Sequence, residues 1–120
     1  AQILQRADLI IVNEGEAAFY GNALHGRDGL TATTYGGRGA VLFQRGAEIA
    51  RAASFAIEPV DTTGAGDAFC AALTLALVEK RAYDEALAFA CATGALTATR
   101  AGAQSSLPHR ADVEELLLQR

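Results

Sequence analysis

Apolar residues in this chain gather in short runs separated by glycine or polar stretches, then in two long runs. Ala7 to Val12 has the unbroken apolar character of a buried parallel strand, and Ala1 to Arg6 before it reads as the end of a helix. Glu14 to Leu24 is expected to be a helix, with Ala17, Ala18, Phe19 and Leu24 supplying its buried side. His25 to Gly29 is a loop and Leu30 to Tyr35 a strand. Ala40 to Gln44 and Glu48 to Ala52 alternate about Arg45-Gly46, which predicts a hairpin. Phe55 to Val60 leads into a glycine-rich loop. Ala65 to Arg81 is apolar nearly all round and so is expected at the centre of the core. Asp84 to Thr99 is a second helix, N-capped by Asp84, and Ala111 to Gln119 is the last. Strand, loop and helix alternate, so the predicted class is α/β with a largely parallel sheet. Ligands of such sheets bind beyond the carboxyl ends of the strands, where Asn13, Gly36 and Gly64 fall.

The run Asp61-Thr62-Thr63-Gly64-Ala65-Gly66-Asp67-Ala68-Phe69 opens the first long helix. Small residues at 64 to 66 allow a tight turn and close approach of a ligand to the backbone. A helix start carries unpaired N–H groups and the positive end of the helix dipole, a site for an anion. A carboxylate in that first turn, Asp67, repels phosphate but suits a base that takes a proton from a hydroxyl attacking a phosphoryl group. For a lone Gly-x-Gly-Asp, a plain N-cap and glycine turn, with Asp67 only complementing the dipole, is the better account, since short glycine motifs match by accident.

The full run resembles the second signature of the PfkB or ribokinase-like carbohydrate kinases, and three other segments match that family in order. Asn13-Glu14-Gly15-Glu16 is similar to its Asn-x-x-Glu motif, Thr34-Tyr35-Gly36-Gly37-Arg38-Gly39-Ala40 to its nucleotide loop, and Thr99 to Pro108 to the segment closing the adenine pocket in ribokinase. The resemblance implies a three-layer α-β-α sandwich of ribokinase-like fold. It makes Asp67 the catalytic base and the amides of Gly64, Ala65 and Gly66 an anion hole. It places Asn13, Thr34, Gly36, Gly39 and Cys91 at the nucleotide, and Glu16 at a hydrated Mg²⁺. A K⁺ site would draw on Asp61, Thr63, Thr97, Arg100, Gly102 and Ser106. Cys91 departs from the asparagine or histidine common beside the adenine.

The implied activity is ATP-dependent phosphorylation of a hydroxyl of a small sugar or sugar-like molecule. Ribose-type substrates are favoured; fructose, a deoxy-ketogluconate, a nucleoside or a hydroxymethylpyrimidine stay open. The alternative is a nucleotide-binding module without chemistry of its own, or an interaction domain with purely structural glycine loops. Family members are far longer than the 120 residues here, so 1–120 corresponds to their C-terminal, nucleotide-binding portion. The N-terminal sugar-binding and lid portion is expected to be absent, which makes the chain a fragment or one half of a split enzyme, inactive alone. An exposed strand edge would then favour self-association or pairing with that half.

Composition narrows the remainder. A net charge of −4 with no cluster of Lys or Arg argues against nucleic acid as a partner. The longest strongly apolar stretch, Ala68 to Val78, is too short to span a membrane. No leader is visible, and a cytoplasmic setting is expected. Cys70 and Cys91 fall inside predicted helices and are expected to be reduced core residues. His25 and His109 lack metal-ligand spacing and read as surface residues.

Overall fold

The computed structural model describes residues 8–24, 26–53, 55, 64–99 and 110–118. Four strands, β1 (Leu9–Asn13), β2 (Leu30–Thr34), β3 (Ala40–Gln44) and β4 (Ala47–Ala52), form one sheet in the order β1-β2-β3-β4. Four helices, α1 (Glu14–Tyr20), α2 (Ala65–Val78), α3 (Tyr83–Ala98) and α4 (Arg110–Leu118), complete the described elements. Single-turn 3-10 segments occupy Gly21–Ala23 and Gly36–Arg38. The α/β class stands, but among the described strands only β1 and β2 pair in parallel; β2–β3 and β3–β4 are antiparallel. Connection length is the reason. The stretch between β1 and β2 holds a helix and can return the chain to the same end of the sheet, whereas the short β2–β3 and β3–β4 links permit only a reversal. Arg45 (φ 53) and Gly46 (φ 77) turn the β3–β4 hairpin, both in the left-handed region that such two-residue loops require.

Alternation along the strands separates two faces. Leu9, Ile11, Leu30, Ala32, Leu42 and Ala50 lie in register on one face and join the core beneath α2, α3 and α4. Thr31 and Thr33 occupy the other face, where α1 packs against β1 and β2. The layering is therefore helix, sheet, helix.

The most enclosed helix is α3, not α2 as the apolar run suggested. Ala86 to Ala90, Ala92 and Thr93 of α3 are all buried, and it packs on β3, β4, α2 and α4. Its alanines let neighbours approach on several sides. In α2 only Ala68, Phe69, Ala72, Leu73 and Ala76 are buried, and Leu75 and Val78 stay exposed. The α2 helix stops at Val78 rather than Arg81, with Lys80 (φ 62) closing the turn into α3.

Two further expectations are corrected. The N-cap of α3 is Ala82, which makes no side-chain cap bond; Asp84 sits inside the first turn, where it only complements the dipole. α1 ends at Tyr20 with the chain turning at Gly21 (φ 44), so Leu24 lies beyond it. No residue of α1 is buried: Ala17 is half-covered, Ala18 is exposed, and Phe19 is 82% exposed in an edge-to-face pair with Tyr20, while Leu24 beyond the helix is half-covered. Two helical turns at the sheet rim are too short to press a full apolar face onto it.

α4 is fastened to the α2–α3 hairpin by two guanidinium groups stacked on Phe89, Arg81 at 4.7 Å and Arg110 at 5.7 Å from the ring centre. Arg81 also reaches Glu114 at 3.1 Å, and Arg110 reaches Glu79 at 2.8 Å. The expected helix end at 1–6, the lead-in at 56–60, His25 and His109 lie outside the described residues. Cys70 and Cys91 are free thiols.

Candidate functional site

Parallel pairing of β1 and β2 sets Asn13 opposite Thr34, so two of the expected segments leave the sheet side by side at its carboxyl edge. Asn13 is the N-cap of α1. Its Oδ1 accepts from the Glu16 N–H at 2.8 Å, and Glu16 Oε1 accepts from the Asn13 N–H at 2.9 Å, a reciprocal capping box. Both side chains thus have a local role, which leaves the second oxygen of the exposed Glu16 carboxylate for a ligand. Thr34 Oγ1 makes a long contact to the Val12 carbonyl at 3.4 Å.

The loop after β2 is a single 3-10 turn. Gly36 (φ 59) and Gly39 (φ 99) occupy left-handed backbone, and the Tyr35 N–H donates to the Gly39 carbonyl at 2.8 Å, closing the loop on itself. A Cβ on Gly36 would meet nothing within 4 Å, so space lies open above the turn. Arg38 was not singled out in the sequence; it pairs with Glu14 at 2.7 Å and lies over Tyr35, tying this loop to the start of α1.

At the start of α2, Gly64 adopts φ 83 and ψ −9, a conformation that a side chain makes costly, and its carbonyl accepts from Ala68 N–H at 2.9 Å. Gly64, the N-cap, offers no side-chain cap bond. The donors of residues 65 to 67 precede the helical ladder, which begins at the Ala68 N–H. Gly66 and Asp67 are exposed, and a Cβ on Gly66 would again meet open space. This turn can hold an anion beside a carboxylate.

Burial first, then the Asp67 carboxylate and more weakly that of Glu16, push the Cys70 thiol above its ordinary range. Cys91, on α3, packs against the core, and burial pushes its thiol up to about 11. It is therefore a neutral, weakly polar surface at neutral pH. Thr97 lies in the last turn of α3 and its hydroxyl donates back to the Thr93 carbonyl at 2.9 Å. Asp61, Thr63, Arg100, Gly102 and Ser106 lie outside the described residues.

Fit to the expected ions can be judged from the donors present. No group of three or more His, Cys, Asp or Glu able to cage a metal occurs among the described residues. A single carboxylate such as Glu16 suits Mg²⁺, which keeps its waters and is shared with phosphates. The C-terminal carbonyls of α3, at the negative end of its dipole, suit a hard monovalent cation.

Sequence reasoning overlooked Gly94, whose missing Cβ would stand 3.2 Å from the Ala65 carbonyl oxygen. An isolated glycine within an otherwise helical pattern is the signal that marks it. It also overlooked Arg27, buried at 2% exposure with Nη1 donating to the Leu30 carbonyl and, at 2.9 Å, to Thr31 Oγ1. Burial lowers the Arg27 pKa, and Asp8 partly offsets this.

Comparison with known proteins gives the family and the fold. A family model for the pfkB family carbohydrate kinases matches residues 1–110. A ribokinase of Bacillus subtilis (strain 168) is 44% identical over 81 residues, covering 68% of this chain and 28% of the relative. A probable fructokinase-5 of Arabidopsis thaliana is 33% identical over 133 residues, covering 96% of this chain and 41% of its own. Among solved structures, an E. coli chain assigned to ribokinase II, in complex with ATP and Mg²⁺, superposes with TM-score 0.87 at 26% identity, covering 99% of this chain and 42% of that one. The Arabidopsis thaliana ribokinase complexed with ribose and ATP gives TM-score 0.80 at 31% identity, covering 97% and 42%. The chain thus spans less than half the length of these relatives. It shares their ribokinase-like fold, and it belongs to the pfkB family of carbohydrate kinases.

Proposed function

We propose that residues 1–120 are the nucleotide-binding and catalytic portion of a sugar kinase that transfers a phosphoryl group from ATP to a hydroxyl of a small sugar. One observation carries the reading most directly: the left-handed turn at Gly64, itself without a capping side chain, opens the helix with the exposed Asp67 carboxylate in the same turn. Asp67 takes the proton of the attacking hydroxyl, worth about 10² to 10⁴ in rate for a general base. The amides of Gly64, Ala65 and Gly66 stabilise charge on the moving phosphoryl group. Asn13, Thr34, Gly36 and Gly39, at the carboxyl edge of β1 and β2, hold the nucleotide, with Cys91 beside its base. Glu16 holds Mg²⁺ through water, and the ion neutralises phosphate charge when bound. Asp61, Thr63, Thr97, Arg100, Gly102 and Ser106 hold K⁺.

The sugar-binding and lid segments belong to sequence beyond these residues, and the isolated 120 residues do not turn over. β1 supports this: it is apolar, stands at the sheet edge and is paired on one side only among the described strands. That edge accepts a strand from the sugar-binding portion or, failing that, from a second copy. Two free thiols are in keeping with a cytoplasmic setting. Among the described residues, no helix is long and apolar enough to cross a membrane.

Asp67→Asn, made in the complete reading frame, tests the reading. It keeps the size of the side chain and removes the base. Turnover with ribose or fructose is expected to fall at least about 10²-fold while ATP binding by calorimetry stays near that of the parent. A variant that retains turnover would sink the base assignment.

A further inference from the structure

We infer that Gly94 is a positioning residue for phosphoryl transfer: by lacking a side chain it lets α3 seat the first turn of α2, and with it the amides of residues 64 to 66, where the phosphoryl group is met. The inference rests on the kinase reading above. A Cβ at Gly94 would lie 3.2 Å from the Ala65 carbonyl oxygen and 3.8 Å from Phe69 Cβ. The first distance is tighter than ordinary packing, and the atom met is backbone, which cannot swing aside as a flexible side chain would.

Which partner yields decides the consequence. α3 is held on several sides: Ala90 and Ala92 are fully buried, Thr93 is nearly so, and the helix packs on β3, β4, α2 and α4. The first turn of α2 is half-covered at Ala65 and exposed at Gly66 and Asp67, with open space above Gly66. The displacement therefore falls on the turn that carries the anion-binding amides and Asp67. Misplacement of about 1 Å at a reacting centre costs about 10²-fold. A shift of a few tenths of an ångström accordingly lowers kcat by roughly threefold to tenfold.

The test compares Gly94→Ala with Ala86→Val in the complete reading frame. Ala86 is fully buried near the N-terminal end of α3, so valine there overpacks the helix far from the Ala65 turn. For Gly94→Ala, kcat is expected to fall about threefold to tenfold with the calorimetric Kd for ATP within about twofold of the parent. Ala86→Val is expected to lower Tm at least as much while kcat stays within about twofold. Three results would overturn the inference: an unchanged kcat in folded Gly94→Ala, a kcat loss in both variants that simply tracks Tm, or no soluble Gly94→Ala, which would make Gly94 a packing residue. A parent that binds ATP and phosphorylates nothing would remove the kinase reading and this inference together, and is distinguishable because the parent is measured first.

Discussion

Gly64→Ala separates the geometry of the α2 start from its stability. The native φ of 83 places an L-residue in left-handed backbone, at a cost of about 1–2 kcal/mol. Two responses are open to the variant. The turn can keep its shape and carry the strain, or it can relax and move the amides. The described bond holding the shape is Ala68 N–H to the Gly64 carbonyl, 2.9 Å long and worth about 0.5–1.5 kcal/mol net at this half-covered position. One such bond does not outweigh the strain, so the turn relaxes. Loss of an oxyanion-type donor then lowers kcat by about 10² to 10³, equivalent to about 2.7–4 kcal/mol. Unfolding cannot imitate this result. A domain with at least about 5 kcal/mol of stability that gives up 2 stays about 99% folded. A coupled ADP-release assay with ribose and with fructose, run beside a thermal melt, reads both quantities. A kcat within about threefold of the parent together with a clear drop in Tm would refute the argument, because the turn would have kept its shape under strain.

Two further predictions concern the framework. Arg27→Met removes a buried donor from the Leu30 carbonyl and Thr31 hydroxyl and is expected to cost about 2–4 kcal/mol in urea unfolding. Arg45→Ala, which breaks the nearby exposed pair to Asp28, should cost less than about 1 kcal/mol, and equal losses would contradict the burial argument. For Cys91, the native thiol is raised to about 11 from its ordinary 9.0, so the unfolded chain ionises first as the solution becomes alkaline. Its contribution is intact below pH 9 and is lost as the pH rises through 11, a change of about 2–3 kcal/mol that Cys91→Ala should abolish in parallel urea titrations. At neutral pH the same protonated thiol should react slowly with iodoacetamide.

Features fixed by local backbone chemistry were legible in the chain. Arg45-Gly46 announced the hairpin, the apolar run before Asn13 announced β1, and Gly64 to Asp67 announced a glycine turn opening a helix. Features decided by neighbours were not. The acids of α3 fall in its first turn, yet which residue caps it depends on how the chain leaves α2, and Ala82 rather than Asp84 takes that place. Hydrophobicity ranked α2 as the central helix, whereas position against the sheet gave that place to α3, whose small side chains admit close neighbours. The exposure of Phe19 has the same origin: an amphipathic pattern fixes which side of a helix is apolar, not whether a surface lies beneath it. Arg27 was unreadable because burial of a cation depends on the carbonyl and hydroxyl that β2 offers it.

Gly94 brings the two kinds of information together. Glycine within a helix costs about 0.8–1 kcal/mol relative to alanine, and this one stands in a segment otherwise rich in alanine. By local propensity alone the residue is a fault. In three dimensions it is where two helices come close enough that one helix's backbone bears on the first turn of the other. Asp67 and the amides beside it project from that turn, and Cys70, one helical turn further along α2, is close enough to feel both Asp67 and Glu16. The start of α1 is fixed by the Asn13–Glu16 box and the start of α2 by Gly64 and Gly94, each by its own device. A local rule broken at a site-bearing contact is expected to have a functional rather than a folding origin. Turnover should therefore fall in Gly94→Ala beyond what any loss of stability accounts for, whereas in Ala86→Val stability falls and turnover is kept.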